Sequence, residues 1–107
     1  MTDHKKSRRQ VLEEFVAKTP SDAFLRYGLA MECMSSGDAK AAIHQFHLLI
    51  EQHPDYVPAY LMYGQLLARE SRSDEAKQVL SRGIVAAGEK GEQHAASEME
   101  VLLGELG

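Results

Sequence analysis

Apolar residues recur along this chain at helical spacing, and the breaks between them fall at prolines and short polar turns. Val11, Leu12, Phe15 and Val16 share one stripe, predicting a first helix over about 7–18 that Pro20 stops. Ser21 or Asp22 can cap a second helix over about 21–35, whose apolar set is Phe24, Tyr27, Met31 and Met34. Ser35-Ser36-Gly37 interrupts the pattern, and Asp38 suits the N-cap of a third helix over about 39–53 carrying Ala42, Ile43, Phe46, Leu49 and Ile50. His53-Pro54-Asp55 ends it. A fourth helix over about 57–70 tolerates Pro58 in its first turn and aligns Tyr60, Tyr63 and Leu67. A fifth, over about 74–87, carries Ala76, Val79, Leu80 and Ile84, and the stretch from Gly88 to Gly91 reads as a break. A sixth, over about 92–106, sets Ala95, Met99, Leu102, Leu103 and Leu106 against Glu92, Gln93, Glu98, Glu100 and Glu105. No segment alternates with period two, so the expected class is all-α.

One pattern is written twice. Phe24-x2-Tyr27-Gly28-x2-Met31 returns as Tyr60-x2-Tyr63-Gly64-x2-Leu67, and Ala42/Phe46 returns as Ala76/Leu80. Such recurrence means that one supersecondary unit is stacked on itself. These residues resemble the tetratricopeptide repeat, a 34-residue helical pair with the pattern W-x2-L-G-x2-Y…A-x3-F…P. In this register Gly28 and Gly64 are the positions of close helix approach. They stand 36 apart, and Gly28 lies 14 before Ala42 whereas Gly64 lies 12 before Ala76, so the first repeat is expected to hold two extra residues near Ser35-Ser36. Pro54 closes the first copy, and Gly88 stands where the second would have its proline. Residues 7–20 resemble the second half of a repeat, with Leu12 and Pro20 spaced like Phe46 and Pro54 and with Arg8 in place of the small alanine. The resemblance implies antiparallel helix pairs stacked as a short right-handed α-solenoid of about six helices; a generic helical bundle is the alternative. The expected organisation is a flexible basic segment over 1–6, a half repeat over 7–20, repeats over 21–56 and 57–90, and a capping helix over 91–106.

Charge narrows the function. The 107 residues carry a net charge of -4 and a pI near 5.7. Residues 1–20 hold five Lys/Arg against three Asp/Glu, and the remainder seven against thirteen, so the basic group Lys5, Lys6, Arg8 and Arg9 is a local feature of an acidic chain. Nucleic acid is not expected as a partner, because phosphate neutralisation needs a basic face. No apolar run approaches the ~18 residues of a membrane span, and Glu13 and Glu14 interrupt the only candidate for a secretory signal. A lone Cys33 forms no intramolecular disulfide, which fits a cytoplasmic protein.

Candidate chemistry is sparse. His44 and His47 lie three apart but off the Ala42/Phe46/Leu49 stripe, with His53 beyond and His4 and His94 isolated, so no metal site is expected. Cys33 has no local activator, and no G-x-S-x-G, phosphate-binding or dinucleotide-binding motif occurs. Neither an enzyme nor a cofactor is expected. The resemblance implies instead a concave groove lined by the first helix of each pair. In the stated register its lining is Leu25, Arg26, Leu29 and Cys33, then Leu61, Met62, Gln65 and Arg69, with Asp22, Glu32, Pro58 and Ala68 alongside. Leu25, Leu29, Leu61 and Met62 would anchor a peptide or partner helix, and Arg26 and Arg69 would orient its acidic groups. Some family members clamp an acidic chaperone tail with Lys and Asn; Leu25, Leu29, Leu61 and Gln65 stand at those positions, so that activity does not carry over. The alternative is a homodimer closed through the same apolar surface or an end helix.

Overall fold

The computed structural model describes residues 5–107, so most of the basic segment expected over 1–6, and His4 with it, lies outside the described residues. Six helices follow one another: α1 (Arg8–Lys18), α2 (Ala23–Ser35), α3 (Ala39–Gln52), α4 (Val57–Arg69), α5 (Ser73–Glu89) and α6 (Gln93–Glu105). Among the described residues there is no strand. Each helix packs on its neighbours in sequence, and α6 also reaches α4. The result is elongated, 54 × 28 × 20 Å, with a radius of gyration of 14.8 Å, against about 13 Å for a compact domain of this length.

The helix starts follow local chemistry. Ser7 and Gln10 form a reciprocal capping box on α1. Asp22 accepts from the Leu25 N–H at 3.0 Å and Asp38 from the Ala41 N–H at 3.1 Å, satisfying donors that the first turn leaves free. Asp38 also receives Arg9 at 2.8 Å, which ties α1 to the start of α3. That cation and the Ala41 N–H hold the Asp38 carboxyl below its ordinary range.

Two kinds of turn join the helices. The α1–α2 and α3–α4 links run through Pro20 and Pro54, which cannot continue a helix. The α2–α3 and α4–α5 links are Schellman turns: a left-handed residue, Gly37 at φ 84° or Ser71 at φ 64°, is followed by an N–H that reaches back to Cys33 O (2.9 Å) or Leu67 O (2.8 Å). Ser71 is the non-glycine residue in this strained position. Ser71→Gly is expected to raise stability by about 0.5–1 kcal/mol, read as a higher denaturation midpoint with unchanged slope.

The α5–α6 link departs from expectation. With Gly88 in place of a proline, α5 does not break there but runs on to Glu89, 17 residues against 14 in α3. It then ends in a third Schellman turn, with Gly91 at φ 71° and the Glu92 N–H on Ala87 O at 2.8 Å. The extension shifts α6 by two residues relative to the repeat: Ala95, Ala96, Met99, Leu102 and Leu103 occupy the places that Ala59, Tyr60, Tyr63, Leu66 and Leu67 hold on α4, each 36 residues on.

Burial also corrects the register of the first repeat. On α4 the buried set is Val57, Ala59, Tyr60, Tyr63, Gly64, Leu66 and Leu67; on α2 it is Arg26, Leu29, Ala30 and Cys33. Arg26, Leu29, Ala30 and Cys33 precede Tyr60, Tyr63, Gly64 and Leu67 by 34 residues each, as Ala42 and Phe46 precede Ala76 and Leu80. No residues are inserted at Ser35-Ser36. Phe24, expected in the core, is 74% exposed. Gly28 is the counterpart of Met62, not of Gly64. A Cβ built on Gly28 would touch Leu12 at an ordinary 3.5 Å, whereas one on Gly64 would meet Leu80 Cδ2 at 2.5 Å. Close approach therefore resides at Gly64 and its partner position Ala30, which is fully buried.

Between α2, α3 and α4 the core is aromatic. Phe46 stacks on Tyr63 with centroids 5.7 Å apart and meets Tyr27 edge-on at 6.4 Å, while Tyr27 leans on Tyr56 at 5.4 Å.

Candidate functional site

The corrected register defines one face. On α2 the residues left outside the buried stripe include Phe24, Tyr27, Met31 and Met34; 34 residues later stand Pro58, Leu61, Gln65 and Ala68 on α4. All eight are half-buried or exposed. With the 36-residue offset the face continues onto α6 at His94, Ser97, Val101 and Gly104, and Val101 is 64% exposed.

A hollow of about 300 Å³ opens where the three helices meet. Tyr27 contributes from α2, Val57, Pro58, Leu61 and Met62 from α4, and Ala95 from α6. Its charged lining consists of Glu92 and Glu98, both exposed. Glu98 lies 3.4 Å from the His94 imidazole. Lys90, the nearest cation in sequence, directs its ammonium to the Asp55 carbonyl at 3.3 Å. The site is thus an apolar hollow with an acidic rim.

The residues expected to line the groove are divided by the structure. Leu61 and Met62 line the hollow; Gln65 and Arg69 are exposed further along α4; Leu25 is half-buried against the core. Leu29 and Cys33 are buried in the packing of the chain on itself, at 3% and 2% exposure. Arg26 is 6% exposed and structural: its guanidinium donates to Gln45 Oε1 at 2.7 Å and to the Pro20 carbonyl at 2.9 Å. Tyr60, 34 residues on, donates its hydroxyl to the Pro54 carbonyl at 2.6 Å. The two side chains lock the same turn in successive repeats, so Arg26 is not available to orient a partner's acidic group. The lining residues that the sequence-based groove did not include are Tyr27, Val57, Glu92, Ala95 and Glu98, and the 34-residue spacing of the Ala42/Ala76 pair is the signal that places Tyr27 with Leu61.

Burial, the dominant influence, raises the Cys33 thiol above its ordinary pKa, and the nearby Arg9 only partly opposes it. A raised pKa leaves less thiolate at neutral pH. Cys33 is expected to react with a thiol reagent far more slowly in the native chain than in denaturant, and equal rates would contradict its place in the core. Among the described residues, no group of three or more His, Cys, Asp or Glu is arranged to hold a metal ion, and His44 and His47 are exposed. Nor, among them, is any helix long and apolar enough to cross a membrane.

Residues 33–97 match the family model described as tetratricopeptide repeat. The chain belongs to the tetratricopeptide repeat family. A TPR repeat-containing protein of Pseudomonas aeruginosa is 33% identical over 97 residues, covering 89% of this chain and 90% of the relative. Among solved structures, a TPR domain protein from Salinibacter ruber is 37% identical with a TM-score of 0.77, over 81% of this chain and 88% of that one. The TPR2B domain of yeast Sti1, solved as a complex with pHsp70, superposes with a TM-score of 0.84 at 19% identity, over 92% of this chain and 78% of that one, a likeness of fold alone. Within this TPR chain the most extensive helix–helix packing is α2 on α3 and α4 on α5.

Proposed function

We propose that this protein is a non-enzymatic interaction module that holds a protein or peptide segment on the face of α2, α4 and α6, with Leu61 and Met62 as its apolar centre. The observation that carries the reading is the hollow itself: Tyr27, Leu61, Met62 and Ala95 from three helices converge on it, each packed against the core on one side and left partly open on the other. Concave, mainly apolar hollows with a few polar groups suit ligand binding, and methionine suits an adaptable site. The TPR fold and the Sti1 TPR2B complex with pHsp70 support the general reading.

Affinity capture with immobilised protein tests it. Wild type and a Gln78→Glu control on exposed α5 are expected to retain the same partner, and Leu61→Glu to lose it while keeping its helical circular dichroism. Equal recovery by all three would contradict the groove.

A further inference from the structure

The sign of the charge around the hollow identifies the kind of segment it takes. Resting on the groove reading above, we infer that the occupant is a peptide segment carrying a large apolar side chain with Lys or Arg beside it, the apolar group entering over Leu61 and Met62 and the cation meeting Glu92 and Glu98. Four observations converge. The hollow is apolar apart from its rim, so an uncharged anchor is needed to fill it. Among the described residues its only charged lining groups are carboxylates. Among the described residues Glu92 makes no ion pair, and Glu98 has only a histidine, which is charged only when protonated. The cation that sequence order brings nearest, Lys90, is held away on the Asp55 carbonyl. An acidic partner would face two carboxylates across the rim, neither of which has a Lys or Arg partner among the described residues, and like-charge juxtaposition at an interface is penalised. Of the two arginines expected to orient acidic groups, Arg26 is buried and bonded to Gln45 and the Pro20 carbonyl, and Arg69, exposed further along α4, does not line the hollow. The net charge of -4 adds long-range attraction for a basic segment.

Selection from a random peptide display library on the immobilised full chain tests the inference. The enriched pool is expected to pair Lys or Arg with aromatic or large aliphatic residues, and a synthetic peptide from it to bind in fluorescence anisotropy with an affinity that falls as salt rises. Glu92→Gln/Glu98→Gln, both at exposed positions, should weaken that peptide roughly tenfold and flatten its salt dependence. Glu92→Lys/Glu98→Lys should select an acidic pool instead. A pool with no charge preference or an acidic one from wild type, or an affinity indifferent to the Gln pair, overturns the inference. If Leu61→Asp still abolishes binding in that case, the groove reading stands without its charge assignment; if Leu61→Asp has no effect, the groove reading falls too. No enrichment above background overturns it. So does a wild type that light scattering finds dimeric and that Leu61→Asp renders monomeric, because a second copy then fills the hollow.

Discussion

Gly83→Ala is expected to lower the melting temperature by roughly 12–24 °C, the equivalent of about 3 kcal/mol in a domain of this size. Gly83 is buried where α5 crosses α4 and α6. A Cβ there would sit 2.5 Å from the Met99 sulfur and 2.5 Å from the Tyr60 Cβ. Methionine is flexible, but the Tyr60 Cβ is fixed to its backbone, so relief requires α5 to move away from α4. Gly64→Ala is expected to cost less, about 1–3 kcal/mol, because the obstructing atoms belong to the Leu80 side chain. Gly28→Ala, in the other Tyr-Gly dipeptide, should do the opposite. Its Cβ finds ordinary contact with Leu12, and alanine is favoured over glycine by about 1 kcal/mol inside a helix. Opposite signs at Gly28 and Gly64 in thermal denaturation would establish the 34-residue register; equal destabilisation would restore the 36-residue one.

Arg26 supplies the second large effect. Arg26→Ala removes the side chain that ties α2 to the Pro20 turn and to Gln45, leaving a cavity and two polar groups without their donor, so a loss of about 2–4 kcal/mol is expected. The charge is not what the site needs. Among the described residues Arg26 has no carboxylate partner, and its Nε is buried without a hydrogen bond. Arg26→Tyr recreates the arrangement of Tyr60 on Pro54 and removes a buried cation. Its stability is expected within about 1 kcal/mol of wild type, since uncharged replacements of buried ionic groups are often neutral or better. A tyrosine variant as unstable as the alanine one would contradict the equivalence of the two turns.

These predictions show what the sequence makes legible. Six helices, with the proline-bounded and Asp-capped ends, follow from spacing and capping chemistry, because both act within one turn of the chain. The register of α2 does not follow. Its apolar residues Phe24, Tyr27, Met31 and Met34 form a good stripe, and Tyr27-Gly28 matches Tyr63-Gly64 by eye. Yet burial is decided by what the helix packs against, and α2 buries Arg26, Leu29, Ala30 and Cys33 instead. An arginine fits a core position when a turn carbonyl and an amide accept from it, and alanine is small enough where the second repeat uses glycine. Residue type alone therefore exchanges core and groove on α2, while α4, with its fuller motif, keeps Leu61 and Met62 on the correct face. The α6 offset is similarly hidden: a missing proline at position 88 changes the turn, and only the packing reveals that α5 gains most of a turn before it stops. That offset sets Glu92 and Glu98 at the hollow, the carboxylates on which the proposed basic occupant rests.

Methionine methyl groups offer the most direct measurement of where a partner binds. The chain has five methionines; Met62 lines the hollow, Met31 and Met34 lie on the same face of α2, and Met99 is fully buried in the core. In a methyl-labelled sample titrated with a peptide selected on the wild-type chain, the Met62 resonance is expected to move most, Met31 and Met34 to follow, and Met99 to stay in place. A titration that leaves Met62 unmoved while the peptide is bound would contradict recognition on the α2, α4 and α6 face.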